Sequence, residues 1–210
     1  MWQSISYYAL LALESVIGVF GIRLYEEPKY DVIARASDQV EIRRYAPRLA
    51  AEVALRGTDK EARGKAFRLL FDYIAGANRG ASGSDLIAMT VPVAVREPEL
   101  LPMTAPVESD ETDGRVRMRF FLPTKYALDS APQPSDERVQ LLTVPAQTIA
   151  ALRYSGSGRD FVSRQSELMT NLEGTDWRPV GQPYTLYYDA PFTLPFLRRN
   201  EAAVDVAKRP

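Results

Sequence analysis

The stretch VEIRRYAPRLAAEVALRG (Val40–Gly57) alternates apolar and polar residues, meets a proline at Pro47 and resumes the alternation up to a glycine. The same pattern returns in VQLLTVPAQTIAALRYSG (Val139–Gly156), again with a proline near the middle and a glycine at the end. Alternation with a period of two is typical of half-buried strands, and a proline between two such runs is typical of a tight corner. Each stretch therefore predicts two strands joined at a proline-containing corner.

A helix signal follows each of these two stretches. Thr58–Glu61 (TDKE) has the residues of a capping box, and apolar residues recur at helical spacing over 62–74. In the second copy, Ser157 and Asp160 are the candidate caps of a helix over 161–172. Both halves of the chain thus predict the order strand, strand, helix.

Two further strand candidates follow each helix, so the order ββαββ occurs twice along the chain. This order predicts an α+β fold with about eight strands and two helices. Two such units close most easily as an antiparallel sheet or barrel with the helices outside. The further candidates are Leu86–Arg96 and Arg115–Leu122 in the first half, and Tyr184–Tyr188 and Ala202–Val206 in the second.

The composition excludes several classes of site. The chain has 210 residues and neither histidine nor cysteine. Disulfides, zinc ribbons, iron–sulfur clusters, histidine-ligated metals and histidine-based catalytic triads are therefore excluded. With 46% hydrophobic and 25% charged residues, the chain is typical of a globular protein. Its net charge of −1 gives no broad basic field, so we do not expect nucleic-acid binding.

The segment 5–24, ISYYALLALESVIGVFGIRL, is apolar except for a few polar side chains, with Glu14 near its middle. About twenty apolar residues in a helix span the hydrocarbon core of a bilayer. We therefore divide the chain into an N-terminal hydrophobic helix (1–24), interpreted as a membrane anchor, and a folded domain (25–210). A helix docked on the domain with Glu14 in water, which would leave the protein soluble, and a cleaved signal peptide are the alternatives. The side of the membrane stays open.

Few motifs carry chemistry. Arg115, Arg117 and Arg119 alternate with apolar residues on one predicted strand, and we interpret them as a solvated sheet surface, with an anion site as the alternative. A doubled Met-Thr-x-Pro-Val, at Met89–Val93 and Met103–Val107, predicts that at least one copy lies at a sheet edge or bulge. No nucleophile is accompanied by a base, so we expect no catalytic residue and no enzyme.

Several segments, in order, resemble the SOUL/haem-binding protein family over most of the chain after residue 24. The resemblance implies a distorted antiparallel β-barrel of two pseudo-symmetric halves, each flanked by a helix. That fold agrees with the one predicted from the alternation. The matching segments are YEEPKYDVI (25–33), VEIRRYAP (40–47), IAMTVPV (87–93), PMTAPV (102–107), RFFLPTKYALDSAPQPSDERVQLLTVPAQTIAALRYSG (119–156) and YDAPFTLPFLRRNEAAV (188–204).

The resemblance also implies non-covalent binding of haem or another tetrapyrrole. In the characterised vertebrate branch of the family, the porphyrin lies in an open hydrophobic groove between the first helix and the loop before the last strand. Apolar side chains suit the flat ring, and cations suit its two carboxylates. The groove positions implied for this chain are Phe67, Leu70 and Phe71 on the helix and Pro191, Phe192, Thr193 and Leu194 on the loop, with Arg63, Lys65 and Arg68 as partners of the propionates.

The chain departs from the family in two ways. Some members have been assigned an axial histidine, and this chain has none. Basic positions on the helix and loop of the vertebrate branch fall here on Gly64 and Thr193, which removes two expected propionate contacts. The iron of a bound haem would then have no protein ligand, or would be bound by tyrosine, methionine or lysine.

Three function hypotheses remain in different classes. The leading one is a membrane-tethered, non-enzymatic tetrapyrrole-binding domain that acts as a carrier, buffer or sensor. The second is a binding module for another hydrophobic small molecule. The third is an envelope-associated interaction protein without a small ligand, in which the loop Phe192–Leu197 would pack inward.

Overall fold

The computed structural model describes residues 26–57, 60–80, 83–96, 115–157, 160–189 and 193–209. The N-terminal segment 1–25, the cap residue Thr58 and the second Met-Thr-x-Pro-Val copy lie outside the described residues. The elements are β1 (Tyr30–Arg35), β2 (Val40–Tyr45), β3 (Arg48–Arg56), α1 (Lys60–Ile74), β4 (Asn78–Arg79), β5 (Val93–Arg96), β6 (Arg115–Phe121), β7 (Gln133–Pro134), β8 (Gln140–Val144), β9 (Gln147–Tyr154), α2 (Phe161–Leu172), β10 (Trp177–Pro179), β11 (Tyr184–Tyr187), a 3-10 turn (Pro195–Leu197) and β12 (Asn200–Lys208).

The main sheet is antiparallel, and its strands follow the order β1-β2-β9-β12-β11-β5-β6-β3-β8. β10 pairs with β12, while β4 and β7 form a separate short pair. The eight strands from β2 to β8 are arranged symmetrically. Counted from one end, β2, β3, β5 and β6 occupy the positions that β8, β9, β11 and β12 occupy when counted from the other. Two equivalent ββαββ halves would give this order. The sheet curls into a half-barrel, which confirms the predicted α+β distorted antiparallel barrel with two helices.

Alternation along the strands gives the sheet two faces of different character. On the outer face, α1 covers apolar residues of β3, β5 and β6, and α2 covers apolar residues of β2, β9 and β12. The other, concave face carries a second apolar cluster together with most of the charged strand residues. The residues of that concave cluster are Tyr45, Ala50, Val91, Ala94, Phe121, Val144, Ile149, Ala151, Tyr184, Leu186, Tyr188 and Ala203.

The strand predicted over Leu86–Arg96 is shorter in the structure and begins only at Val93. The N–H groups of Ile87 and Val91 donate to carbonyls of α1 and of the segment before β1, at 2.9 and 3.0 Å. Pro92 has no N–H to donate. These N–H groups therefore donate outside the sheet. The first Met-Thr-x-Pro-Val copy lies before β5, and only its last residue, Val93, belongs to the strand.

β1 and β10 were not among the predicted strands. β1 forms one edge of the sheet, and its side chains are half-buried or exposed. β10 has three residues and pairs with one end of β12. Neither strand buries a face deeply enough to require a strong alternation. Across the described part of the chain, the helices are all too short or too polar to cross a membrane.

Candidate functional site

The exposed flank of α1 carries an aromatic pair. The Phe67 and Phe71 rings are stacked, with centroids 6.2 Å apart and an interplanar angle of 15°. Phe67 also meets Phe120 of β6 edge-to-face at 5.4 Å, so it is half-buried against the core. Phe71, one turn further along the helix, is 36% exposed. The pair therefore presents an apolar surface to solvent at Phe71, and the contact of Phe67 with Phe120 attaches it to the core.

Leu70 does not share this surface. It is 0% exposed and packs in the core cluster, because it belongs to the stripe of α1 that faces the sheet. Ala66 and Ile74, four residues before and after it, are buried on the same stripe. Leu70 therefore supports the aromatic pair from beneath, and the part of α1 that faces outward is Phe67 and Phe71.

The N-terminal half of α1 approaches the start of α2. The Arg63 guanidinium lies 5.9 Å from the centroid of the Phe161 ring, the first residue of α2. The loop before α2 is joined in turn to the segment that precedes β12: the Gly156 N–H donates to the Pro195 carbonyl at 3.0 Å, and the Asn200 side chain donates to the Gly156 carbonyl at 3.1 Å. Arg63 thus contacts α2, and Gly156 contacts the 193–197 segment.

The 193–197 segment displays apolar side chains to solvent. Phe196 is 70% exposed, Leu194 37% and Leu197 36%. Thr193 by contrast is buried, and its carbonyl accepts a 2.7 Å hydrogen bond from Nε of Arg198. The segment is therefore held by its backbone while its apolar side chains point away from the core, contrary to the inward packing that the interaction-protein hypothesis requires.

Of the residues implied as cofactor-binding, Phe67, Phe71 and Leu194 present apolar surface, Arg63 lies beside Phe161, and Leu70 lies in the core. Pro191 and Phe192 lie outside the described residues. The groove assignment itself stays a prediction. Phe196 and Leu197 were not included in it, although their position in a proline-bracketed apolar loop was the available signal.

The concave face holds a buried charge network that sequence reasoning missed. Glu201 of β12 is 0% exposed and accepts hydrogen bonds from Arg43 of β2, at 2.6 and 3.2 Å. Its carboxylate also accepts from the Tyr188 hydroxyl at 2.8 Å and from Nε of Arg199 at 3.0 Å. Arg199 in turn donates to Glu27 at 3.2 Å. Glu201 therefore ties β2 and β12 to the residue that follows β11 and, through Arg199, to the segment before β1.

These contacts fix the charge states of the network. Burial alone would raise the pKa of Glu201, but the hydrogen bond and charge of Arg43, with the charge of Arg199, outweigh it and lower the pKa below its ordinary value. Burial and the adjacent Glu201 charge raise the pKa of Tyr188 well above its usual range. The centre of the network is thus one buried carboxylate, two guanidiniums and a neutral phenol, and Glu41 and Glu27 complete the ion pairs of Arg43 and Arg199. This pairing is typical of a structural ion pair rather than of an acid–base catalyst.

The lowered pKa of Glu201 predicts how stability responds to acid. Because the carboxyl is a stronger acid in the folded than in the unfolded chain, its contribution is present above its ordinary pKa and is lost as the pH falls through the folded value. Urea unfolding between neutral pH and about pH 3 should show a steeper loss of stability for the natural protein than for Glu201→Gln. Parallel pH profiles of the two proteins would contradict the prediction.

One exposed carboxylate serves as an internal reference in that comparison. A side-chain hydrogen bond from Arg138 lowers the pKa of Asp136 to about 2. Asp136 pairs with Arg138 outside the network, so we expect its contribution to cancel in the difference between the two profiles.

Comparison with known proteins gives a family and a fold. A sequence profile described as SOUL heme-binding protein matches residues 25–205. Heme-binding protein 1 of Mus musculus is 31% identical over 150 residues, which cover 69% of this chain and 73% of the mouse protein. The profile match spans α1, the concave network and the 193–197 segment.

Solved structures share the fold at low sequence identity. The C-terminal domain of EcmrR has a TM-score of 0.58 at 14% identity, covering 81% of this chain and 98% of that domain. A protein described as a hydrolase from Listeria innocua has a TM-score of 0.52 at 14% identity, covering 83% of this chain and 94% of its own. At these identities the likeness is one of fold, since one fold carries unrelated functions.

Proposed function

The chain belongs to the SOUL heme-binding family, and from this premise we propose that it binds haem or another tetrapyrrole non-covalently and without catalysing a reaction. The proposed site is the aromatic pair of α1 together with the 193–197 segment. The observation that supports it best is the exposure of Phe71 on the helix and of Leu194, Phe196 and Leu197 on the loop. We propose that these side chains form one apolar patch, as is typical of a ligand or partner surface.

The chemistry of this surface fits a tetrapyrrole. A porphyrin is a flat apolar plate, and stacked aromatic rings with aliphatic neighbours provide dispersion contact and removal of apolar area from water. Two carboxylates project from the plate edge and require cations. Lys65 and Arg68 are exposed on α1, and Arg63 lies at the helix end nearest α2. These three residues are the proposed partners of the propionates.

Recognition of haem by this chain would not use an axial histidine, because the sequence has none. Haem supplies an iron that an axial protein ligand usually holds. Here we propose that affinity comes from the ring and its carboxylates, and that a carrier, buffer or sensor is the role such binding serves. A second candidate function is a binding module for other flat apolar molecules, which the same exposed side chains favour.

We also propose that the segment 5–24 tethers the domain to a membrane. This proposal rests on its apolar composition, since the segment lies outside the described residues. The expectation that the protein does not bind nucleic acid rests only on its net charge of −1.

The experiment that tests the function is an absorbance titration of the full chain, purified in detergent, with haem and in parallel with iron-free protoporphyrin. Both rings should bind saturably at one site, because they present the same apolar plate and the same two carboxylates. Their dissociation constants should lie within about threefold of each other, which corresponds to about 0.65 kcal/mol in binding free energy. Much tighter binding of haem with a shifted Soret band would show that a protein side chain ligates the iron. Saturable binding of neither ring would remove the proposed function and leave the fold unchanged.

A further inference from the structure

The three arginines of β6 share one face of the sheet, on which Arg115 and Arg117 are exposed, as expected for a solvated surface. Val116, Met118 and Phe120 point to α1, so the alternating Arg115, Arg117 and Arg119 point to the concave face. Arg119 is mostly buried there. The stripe therefore lies inside the curl of the sheet, on the side opposite the proposed tetrapyrrole surface.

The stripe contains like charges placed directly across from one another. Arg96 of β5 is the cross-strand partner of Arg117, and Arg56 of β3 is the partner of Arg115. Side chains at such positions are about 5 Å apart at Cβ, and like charges there destabilise a sheet. The Tyr184 ring offsets part of this repulsion, since the Arg96 guanidinium lies 3.8 Å from its centroid.

Nearby carboxylates neutralise only part of this charge. Glu52 of β3 pairs with Arg119 and lies 3.5 Å from Nε of Arg117, so one carboxylate serves two guanidiniums. Asp205 of β12 accepts from Arg96 at 3.0 Å. Within the described ranges, which omit 97–114, these three guanidiniums thus face two carboxylates. The side chain of Arg117 keeps 51% of its surface exposed.

A cavity of about 290 Å³ opens above these groups. Arg96, Arg117 and Arg119 form one wall, and Leu142, Val144 and Pro145 form the other. Gln147 lies at the base, where its amide donates to Asp205 at 3.3 Å. The cavity is small, concave and positively charged on one side, and apolar on the other.

We propose that this cavity binds a small phosphate ester. Guanidinium groups match the oxygens of phosphate in two-point hydrogen bonds, and guanidiniums opposite each other on adjacent strands can grip one dianion from both sides. The apolar wall contacts the organic part of the ester. The dianion offsets the repulsion between Arg96 and Arg117, so its binding stabilises the strand pair. The site lies on the opposite face of the sheet from Phe71, so it is independent of the tetrapyrrole proposal.

Calorimetric titration of the full chain with glycerol 3-phosphate and with inorganic pyrophosphate at low ionic strength tests this site. Both should bind saturably, and Arg117→Gln should weaken both by about tenfold or more, since it removes a charge-assisted contact. Arg44→Gln is the matched control, because Arg44 is an exposed strand arginine on β2. It should leave binding unchanged.

A second variant moves the affinity in the opposite direction. Glu52→Gln removes the carboxylate that competes for Arg117 and Arg119, so phosphate binding should tighten. A merely structural role for the stripe would give no such gain. The proposal is overturned if neither probe binds, if Arg117→Gln binds as tightly as the natural protein, or if only vesicles containing phosphatidic acid are bound.

Discussion

Replacing Glu201 by alanine should lower the free energy of unfolding by about 3–5 kcal/mol, because it removes the fully buried carboxylate that Arg43 and Arg199 share. Arg43 is almost fully buried and donates twice to this carboxylate. Arg199 and the Tyr188 hydroxyl lose the same acceptor. Removal of one member of a buried network costs the desolvation of every group that it served. Urea unfolding of the full chain at neutral pH measures the change.

Glu41 provides the matched control for that experiment. It also pairs with Arg43, at 2.9 Å, but its side chain is partly exposed and its second partner, Arg35, is largely in solvent. Glu41→Ala should therefore cost about 1 kcal/mol or less. Similar losses for the two alanine variants would show that water reaches the network in solution. A double-mutant cycle between Arg43 and Glu201 separates the pair's own coupling from the cost of an unpaired charge.

The predictable part of the fold is the part in which one face of a strand must be buried. The corner at Pro47 and the strands on either side of it follow from alternation, since β2 and β3 each place alternate apolar side chains on the face that the helices cover. β1 has no such face and left no signal. Segment 86–92 has apolar residues but gives its backbone donors to other elements, which a pattern of side chains does not report.

From the sequence, the candidate site could be predicted only as an apolar stripe of the helix, without distinguishing the exposed from the buried residues of that stripe. An apolar stripe on a core-facing helix covers at least about 100°, so periodicity does not separate residues at its centre from those at its edge. Leu70 lies at the centre and Phe71 at the edge, and only the packing of α1 on β6 distinguishes them. The burial of Glu201 was not predictable either. A charged residue in a strand does not show how deeply the sheet face that carries it is enclosed.

The substitution Phe71→Asp should weaken haem binding by about tenfold to a hundredfold, equivalent to about 1.4–2.8 kcal/mol. The change removes an aromatic contact surface and introduces a negative charge close to the two propionates. Because Phe71 is partly exposed and ends the stack on Phe67, the fold should survive the change. Phe67 is a poorer test: its ring packs edge-on against Phe120, so its loss would also loosen α1.

Val180→Asp is the control for the added charge and the lost apolar group. Val180 is an exposed apolar residue in the turn between β10 and β11, and its backbone N–H bonds to Asp205 in either form. Haem affinity of Val180→Asp should match that of the natural protein, and both variants should unfold at similar urea concentrations. If Phe71→Asp stays folded and binds haem as tightly as Val180→Asp, the ring does not lie on α1. In that case the exposed side chains of the 193–197 segment serve another ligand or partner.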